Sequence, residues 1–475
     1  MSKRIFIVSA CLFFLTVSCN KQLDLAPENT LVDKTVFTTE AGTEQALSEA
    51  YYDFMKAVTN GFTYNYGDFT TPILNKTLYY NTYTNGEATP TDYYVVNTWT
   101  AFFKAINNAN NVILKIPEYA DYSTEKQNQF ISEAKFVRAF CYLDLLCLYG
   151  DEALSGNLSG LGLPLQLTPF QGYNTGEIIP RNTNAEVFDQ IIKDLNEALP
   201  NLPDQFLDAV KTRSRATSGA AWALLARAYL YKGDFGNAAA AAAKVLEKSP
   251  AIYQLSANLL SVFPPNPTGS AQSLSSEYVF GFPVSQMISN STSTNNNIGS
   301  TYYFKRSYWI NKDFINEFEP NDLRVSQLIW KGDSVYNPNM FGEFTTYKFN
   351  NPNGRDNVPL IRLPEVMLTR AEALAHTEGI NDVSVQLLNQ VRNRSLPNAT
   401  AYSTSDFSSE DALIASILRQ RKFELAFEGL YRYDIIRNHI PLIVPDIPEN
   451  KKVLPIPQSE IDISKGLIQQ NSGYR

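Results

Sequence analysis

Cysteine, histidine and concentrated positive charge are what this chain has least of, and each shortage closes off a class of chemistry. Only four cysteines occur in 475 residues, and two of them, Cys11 and Cys19, belong to the N-terminal apolar stretch. The others, Cys141 and Cys147, sit in a run that reads as helix, EAKFVRAFCYLDLLCLYG (Glu133 to Gly150). Six helical residues rise about 9 Å, past the ~7 Å Cα separation that a disulfide tolerates. Both are expected to be buried free thiols that fill space as small apolar groups, so no disulfide framework is expected. The two histidines, His376 and His439, each stand alone in their neighbourhoods. HExxH, CxxC, GxSxG and GxxxxGKS/T do not occur, and Gly160-Leu161-Gly162 lacks the third glycine of a dinucleotide fingerprint. The common metal, nucleophile and cofactor chemistries therefore find no support, and neither a cofactor nor a metal is expected.

Positive charge is scarce as well. Forty Lys and Arg face 48 Asp and Glu, a net charge of -8; without Lys3 and Arg4 it becomes 38 − 48 = -10. No basic stripe interrupts this balance, which argues against nucleic acid and anionic headgroups as partners. After residue 19 no apolar run is long enough to cross a membrane, for which a helix needs roughly 20 residues. At 44% hydrophobic the chain can still bury a large core.

What is present begins at the N-terminus. Lys3 and Arg4 precede an almost unbroken apolar run, Ile5 to Leu15, followed by Thr16-Val17-Ser18 and Cys19. This pattern is a secretory signal, and a cysteine at the cleavage point is the mark of bacterial lipoproteins. Cys19 is the expected lipidation site, with residues 1–18 removed. Each buried acyl CH₂ contributes about 0.8 kcal/mol, so two or more chains anchor stably. Cys11 is a poorer candidate because only Ile5 to Val8 would precede it as an apolar run; a plain signal peptide beside an incidental Cys19 is the alternative.

Periodicity dominates the middle of the chain. Trp222, Leu225, Ala226, Tyr229, Gly233, Phe235, Ala238, Ala242, Val245 and Pro250 fall at the spacings of one tetratricopeptide unit, a 34-residue helix–turn–helix. Ala226 and Ala238 are small where two helices would cross, and Gly233 supplies the turn. One such unit cannot bury its own apolar face. Gln127 to Tyr149 with Asn184 to Leu199 predict a second unit, split by an insertion over 150–183. Glu365 to His376 with Asp382 to Arg394 predict a third, and Ser409 to Gly429 opens a fourth. Trp99 to Ile116 and Thr43 to Ala57 also read as helices. Two regions, 60–98 and 257–348, lack this period; the second holds Pro264-Pro265, the polar tract Ser289 to Ser300 and a strand-like Tyr278 to Phe282.

Glu424 and Glu428 are the best-placed carboxylate pair, i and i+4 on one expected helix. Glycosidases need two acids about 5–10 Å apart. Arg419, Arg421, Lys422 and Arg432 nearby would favour the ionised forms rather than a general acid, so a structural ion-pair cluster is expected, with Arg362, Glu365, Arg370, Glu372 and Arg392 read the same way.

From Leu360 onward a family resemblance enters. IRLPEVMLTRAEAL (Ile361 to Leu374), LNQVRNRS (Leu388 to Ser395), RKFELAFEGLYRYDIIR (Arg421 to Arg437), LPIP (Leu454 to Pro457) and QNSGY (Gln470 to Tyr474) resemble the C-terminal signature of SusD/RagB-type nutrient-binding lipoproteins. NNANNVILKIP (Asn107 to Pro117), EAKFVRAFCYLDLLCLYGD (Glu133 to Asp151) and FEPNDLR (Phe318 to Arg324) agree in order. Gln420 departs from the usual Glu of a Glu-Arg pair, Asn438 from a usual Trp, Ser472 from a common Pro, and Ser464-Lys465 from an Asn-Pro. The length alone would suggest about three domains. The resemblance instead implies one mainly α, SusD-like domain over 19–475, with tetratricopeptide-like helical hairpins on one side (within 99–149, 184–250 and 363–437). A loop-rich part with short strands, 60–98 and 257–348, would lie on the other. It further implies a non-catalytic protein, lipid-anchored at the outer membrane and facing the exterior, that caps a SusC-like TonB-dependent transporter and delivers a glycan or other nutrient. A protein–protein scaffold without a small-molecule site, or a surface glycan hydrolase, are the competing functions.

Sugar rings stack their C–H faces on aromatic rings while neighbouring polar groups take the hydroxyls. Two segments in or beside the aperiodic regions combine both ingredients. Tyr79, Tyr80, Tyr83, Tyr94 and Trp99 come from the first, and Tyr302, Tyr303, Tyr308 and Trp309 from the second, with Lys305-Arg306 beside them. These are the candidate ligand-binding residues; half-buried packing is the competing role for each.

Overall fold

The computed structural model describes residues 28–59, 62–75, 81–170, 178–266, 270, 272–283, 309–331, 342–351 and 356–475. The signal stretch and Cys19 lie outside them. Among the described residues the architecture is mainly helical, with two small two-stranded sheets. No described helix is long and apolar enough to cross a membrane.

The helices form a continuous series in which each packs on the next: Glu40–Thr59, Tyr93–Tyr119, Thr124–Tyr149, Asn184–Ala198, Ser218–Lys232, Phe235–Leu246, Leu363–Glu378 and Asp382–Ser395. Glu410–Glu424 then packs on Leu363–Glu378. Local chemistry sets the boundaries. Thr183 and Glu186 make a reciprocal capping box at the start of Asn184–Ala198, which satisfies two orphan N–H groups. Thr217 caps Ser218–Lys232, and Gly233, at φ 82°, ends that helix in the left-handed conformation, open to glycine without Cβ strain. Ala226 and Ala238 are both fully buried, as the close crossing requires. From Phe136 to Tyr149 every position except Asp144 is buried, so the second half of Thr124–Tyr149 is a central helix, with its one buried cation, Arg138, paired to Asp194. Cys141 and Cys147 are free and buried there.

Tyr278–Phe282 is a strand, as its pattern suggested, and pairs antiparallel with Val358–Arg362. Every residue of both strands is buried, so this ribbon runs through the interior. Ile329–Lys331 pairs with Phe344–Thr346.

The aperiodic stretch 60–98 departs from the loop expected of it. Thr63–Phe69 is a helix with every residue buried, and the helix expected from Trp99 starts at Tyr93 and runs to Tyr119. Gly67 explains the burial: a Cβ there would come 1.8 Å from the Gly429 carbonyl oxygen. The Gly429 N–H donates to Asp68 Oδ2 at 3.0 Å, and the Tyr64 hydroxyl donates to the Pro359 carbonyl at 2.9 Å.

Arg362 ties these parts together. Its Nε donates to Glu428 at 2.8 Å, Nη1 to Glu277 and to Glu424 (3.0 Å), and Nη2 to the Glu424 carbonyl (2.9 Å) and Glu428. All five guanidinium N–H groups are thereby used. Lys348 donates to the Glu424 carbonyl and to Glu428, and Arg394 to Glu277. Burial alone would raise the Glu424 carboxyl, but Arg394, Arg362, Arg324 and Lys348 outweigh it and hold it well below the usual range. The ion-pair reading stands for Glu424 and Glu428, with two corrections, but not for Arg370, whose buried Nε has no hydrogen-bond partner among the described residues. The helix ends at Glu424, and Glu428 follows a turn in which Phe427 takes φ 69°. The partners are also distant in sequence: Arg421 instead pairs with Asp434, Lys422 with Glu317, and Arg432 with Thr70 and the Lys452 carbonyl. Gln420, the departure from the family's Glu, accepts from Arg324 at 3.0 Å without a charge of its own.

Two stability measurements follow, on the mature chain with Cys19 replaced by Ala to keep it in solution. Arg362→Leu leaves three buried carboxylates to share Lys348 and Arg394 and is expected to cost about 3–5 kcal/mol in urea unfolding. Lys244→Ala removes only an exposed pair with Glu247 and should cost less than about 0.5 kcal/mol. Asp356 gives the pH dependence: burial pushes its carboxyl up to about 7, against the Asn350 and Asn351 N–H groups that donate to it. Between an unfolded value near ~3.9 and about 7 the folded chain holds the extra proton, so stability declines as pH rises through that window. Asp356→Asn is expected to flatten the decline in melting curves taken at steps of pH; an unchanged slope would contradict it.

Candidate functional site

The hydrogen bonds from Gly429 to Asp68 and from Tyr64 to Pro359 fix the segment from Phe62 to Asn75, and the described candidate aromatics Tyr83, Tyr94 and Trp309 are placed against that segment. Beyond Thr63–Phe69 the chain runs to Leu74, which forms a β-bridge with Ile310. The Asn75 N–H donates to the Trp309 carbonyl at 2.8 Å. Trp309 is therefore held by its backbone to a buried part of the fold while the residue remains 36% exposed.

On the other side of the same segment, Phe62 stacks on Tyr94, with centroids 4.6 Å apart and planes 10° from parallel. Tyr83 meets Phe62 edge-on at 4.8 Å and Tyr94 at 6.1 Å. Both tyrosines are half-buried; desolvation and the nearby Asp92 raise the Tyr83 hydroxyl well above its ordinary pKa. Asp92 accepts from the Thr89 N–H and hydroxyl, both at 2.8 Å, and this turn starts the helix at Tyr93. Tyr93 is the most exposed of the group, at 68%, with its edge against Tyr94 at 5.2 Å.

Of the residues expected from sequence, Tyr79, Tyr80, Tyr302, Tyr303 and Tyr308 lie outside the described residues, as do Lys305 and Arg306. Tyr83 and Tyr94 come together around Phe62. Trp99 is 3% exposed, with its ring against Phe103 (4.7 Å) and Tyr149 (5.2 Å). It is packed against the neighbouring helix and borders the cavity described below. Tyr93 was missed in favour of its neighbour, yet a signal existed. Tyr93, Asn97, Thr100 and Lys104 are spaced i, i+4, i+7 and i+11, and all four are exposed, whereas Val95, Trp99, Phe102 and Ile106 mark the buried stripe.

The exposed stripe leads into a cavity of about 360 Å³, lined by Trp99, Thr100, Phe103, Lys104 and Asn107, by Pro164 and Gln166, and by Glu460, Ser464 and Ile468 near the C-terminus. Nothing in the sequence brings residue 460 to residue 103. Lys104 is engaged by Asp53 at 2.9 Å, and burial raises the Glu460 carboxyl. Among the described residues no cluster of three His, Cys, Asp or Glu could hold a metal. Glu424 and Glu428 are buried and bound by cations, a setting that keeps both from a substrate.

The two adjacent tyrosines should separate cleanly in experiment. Tyr94→Ala removes a stacked ring and is expected to cost about 2–4 kcal/mol in urea unfolding. Tyr93→Ala should stay within about 0.5 kcal/mol of the parent.

Residues 21–230 match a SusD-like family model described as starch-binding and associating with the outer membrane, and residues 332–442 match the SusD family model. SusD-like protein P2 of Formosa agariphila is 26% identical over 431 residues, covering 79% of this chain and 80% of that one. A solved SusD superfamily protein from Bacteroides vulgatus superposes with a TM-score of 0.76 at 24% identity, covering 92% of this chain and all of that one. A laminarin-binding SusD-like protein superposes with a TM-score of 0.71 at 22% identity, over 92% and 100%. Helical architecture, matched models at both ends and relatives along most of the length agree: the chain belongs to the SusD/RagB family of carbohydrate-binding, outer-membrane-associated proteins.

Proposed function

We propose that the mature chain is a non-catalytic cell-surface lipoprotein, tethered through Cys19, that captures a glycan or related nutrient. It would cap a SusC-like TonB-dependent outer-membrane transporter and deliver the ligand for import. The observation that carries this reading is the pair of exposed rings, Trp309 and Tyr93, at either side of a segment otherwise locked into the core. A ring held from behind loses little freedom when a sugar stacks on it, so its contact area translates into affinity. Modest affinity suffices, because holding the captured glycan beside the transporter raises its effective concentration there. The laminarin-binding SusD-like structure makes laminarin a sensible first probe.

Calorimetry with the soluble mature chain, across laminarin, starch and other polysaccharides, tests the capture step. Trp309→Ala and Tyr93→Ala are each expected to weaken binding at least about tenfold, roughly 1.4 kcal/mol, with the unfolding midpoint of Tyr93→Ala unchanged and both chains folded at the assay temperature. Binding indifferent to both substitutions, or no binding across the panel, would contradict the proposal.

A further inference from the structure

The cavity on the Tyr93–Tyr119 helix has an unequal distribution of charge. Lys104 at its edge is engaged by Asp53, whose other oxygen accepts from Asn108 at 2.7 Å. Glu460 on the opposite wall is different: among the described residues no hydrogen bond or ion pair reaches its carboxylate, and burial is what acts on it. A carboxylate has two acceptor oxygens and no donor, and partly withdrawn from water without a partner it destabilises the empty site. A ligand that brings two adjacent O–H donors would relieve this. Neighbouring hydroxyls of a pyranose ring do so, and the ring's C–H face suits the apolar wall of Phe103 and Ile468. A hollow of this volume falls within the range of small-molecule sites and encloses roughly one or two sugar rings. A uronate or sulfated sugar would instead set like charge against Glu460, and the one cation among the described lining residues, Lys104, is already engaged by Asp53.

We infer that this cavity is a second subsite, taking an uncharged sugar unit through adjacent hydroxyls on Glu460, and that Glu460 makes the protein select neutral over acidic glycans. This rests on reading the protein as a glycan binder, and it places the selectivity away from the Tyr93 and Trp309 rings.

Calorimetry of the soluble mature chain with maltose, cellobiose and laminaribiose, with the matching uronic-acid disaccharides and with a glucosamine disaccharide tests it. At least one neutral disaccharide is expected to bind with a Kd of a few millimolar, about tenfold tighter than its acidic counterpart. Glu460→Gln should weaken the neutral sugar about three- to tenfold and shrink that preference. Thr100→Trp, on the exposed rim of the same cavity, should block the disaccharide without lowering the unfolding midpoint. Tighter binding of the acidic or amino sugar, neutral binding indifferent to both variants, or no disaccharide binding at about 10 mM would each overturn the subsite. Polysaccharide binding that is lost in Trp309→Ala but untouched by Glu460→Gln would remove the subsite and leave glycan capture standing. Absence of all polysaccharide binding would remove both.

Discussion

Arg362 lies in the interior at the end of a strand buried along its whole length, and Glu277 converges on it from one part of the chain and Glu424 and Glu428 from another. Each of those charges would be costly to bury alone, and their mutual attraction is strong only where water is absent. The cluster is thus all or nothing. It requires the strand before Leu363–Glu378, the turn after Glu410–Glu424 and the strand from Tyr278 to meet in one geometry. Apolar packing alone tolerates slippage; five directed N–H bonds on one guanidinium do not.

That geometry extends outward to the candidate binding face. Glu428 is followed by Gly429, which takes φ 74° and lies against Gly67. Two glycines in contact allow the Thr63–Phe69 helix to press backbone to backbone on the turn, and the Asp68 carboxylate fastens it. The chain leaving this helix bridges to Ile310 and so places Trp309, while Phe62 before it receives Tyr83 and Tyr94. A small number of rings is then presented to solvent from a rigid base. Under the proposed function this arrangement suits sugars, whose weak stacking contacts are easily offset by ordering costs.

The helical half of the fold was legible because its signals are local. The 3.6-residue period, small residues at helix crossings and Gly233 at a helix end are consequences of short-range geometry, and the helices of 216–250 lie where the spacing put them. The membership of Glu424 and Glu428 in an ion-pair cluster was also legible from charge density. Their partners were not, since Arg362 and Lys348 reach them from more than 60 residues away. Thr63–Phe69 was hidden for a related reason: its Tyr, Asn, Gly and Asp composition reads as loop, yet tertiary contacts with Gly429 and Pro359 bury it. At the site, the exposed face of Tyr93 could be found by following the helix period back from Lys104, whereas the approach of Glu460 to Phe103 depends on how the C-terminus docks.

The most direct measurement is a crystal structure of the soluble mature chain soaked with the polysaccharide-derived oligosaccharide that binds it most tightly. A pyranose ring lying on Trp309 or Tyr93, with the Arg362 cluster unmoved behind it, is the result expected. A sugar seated elsewhere, such as on the outer surface of Ser218–Lys232 and Phe235–Leu246, would show that the rings held by the 62–75 segment are not the binding face.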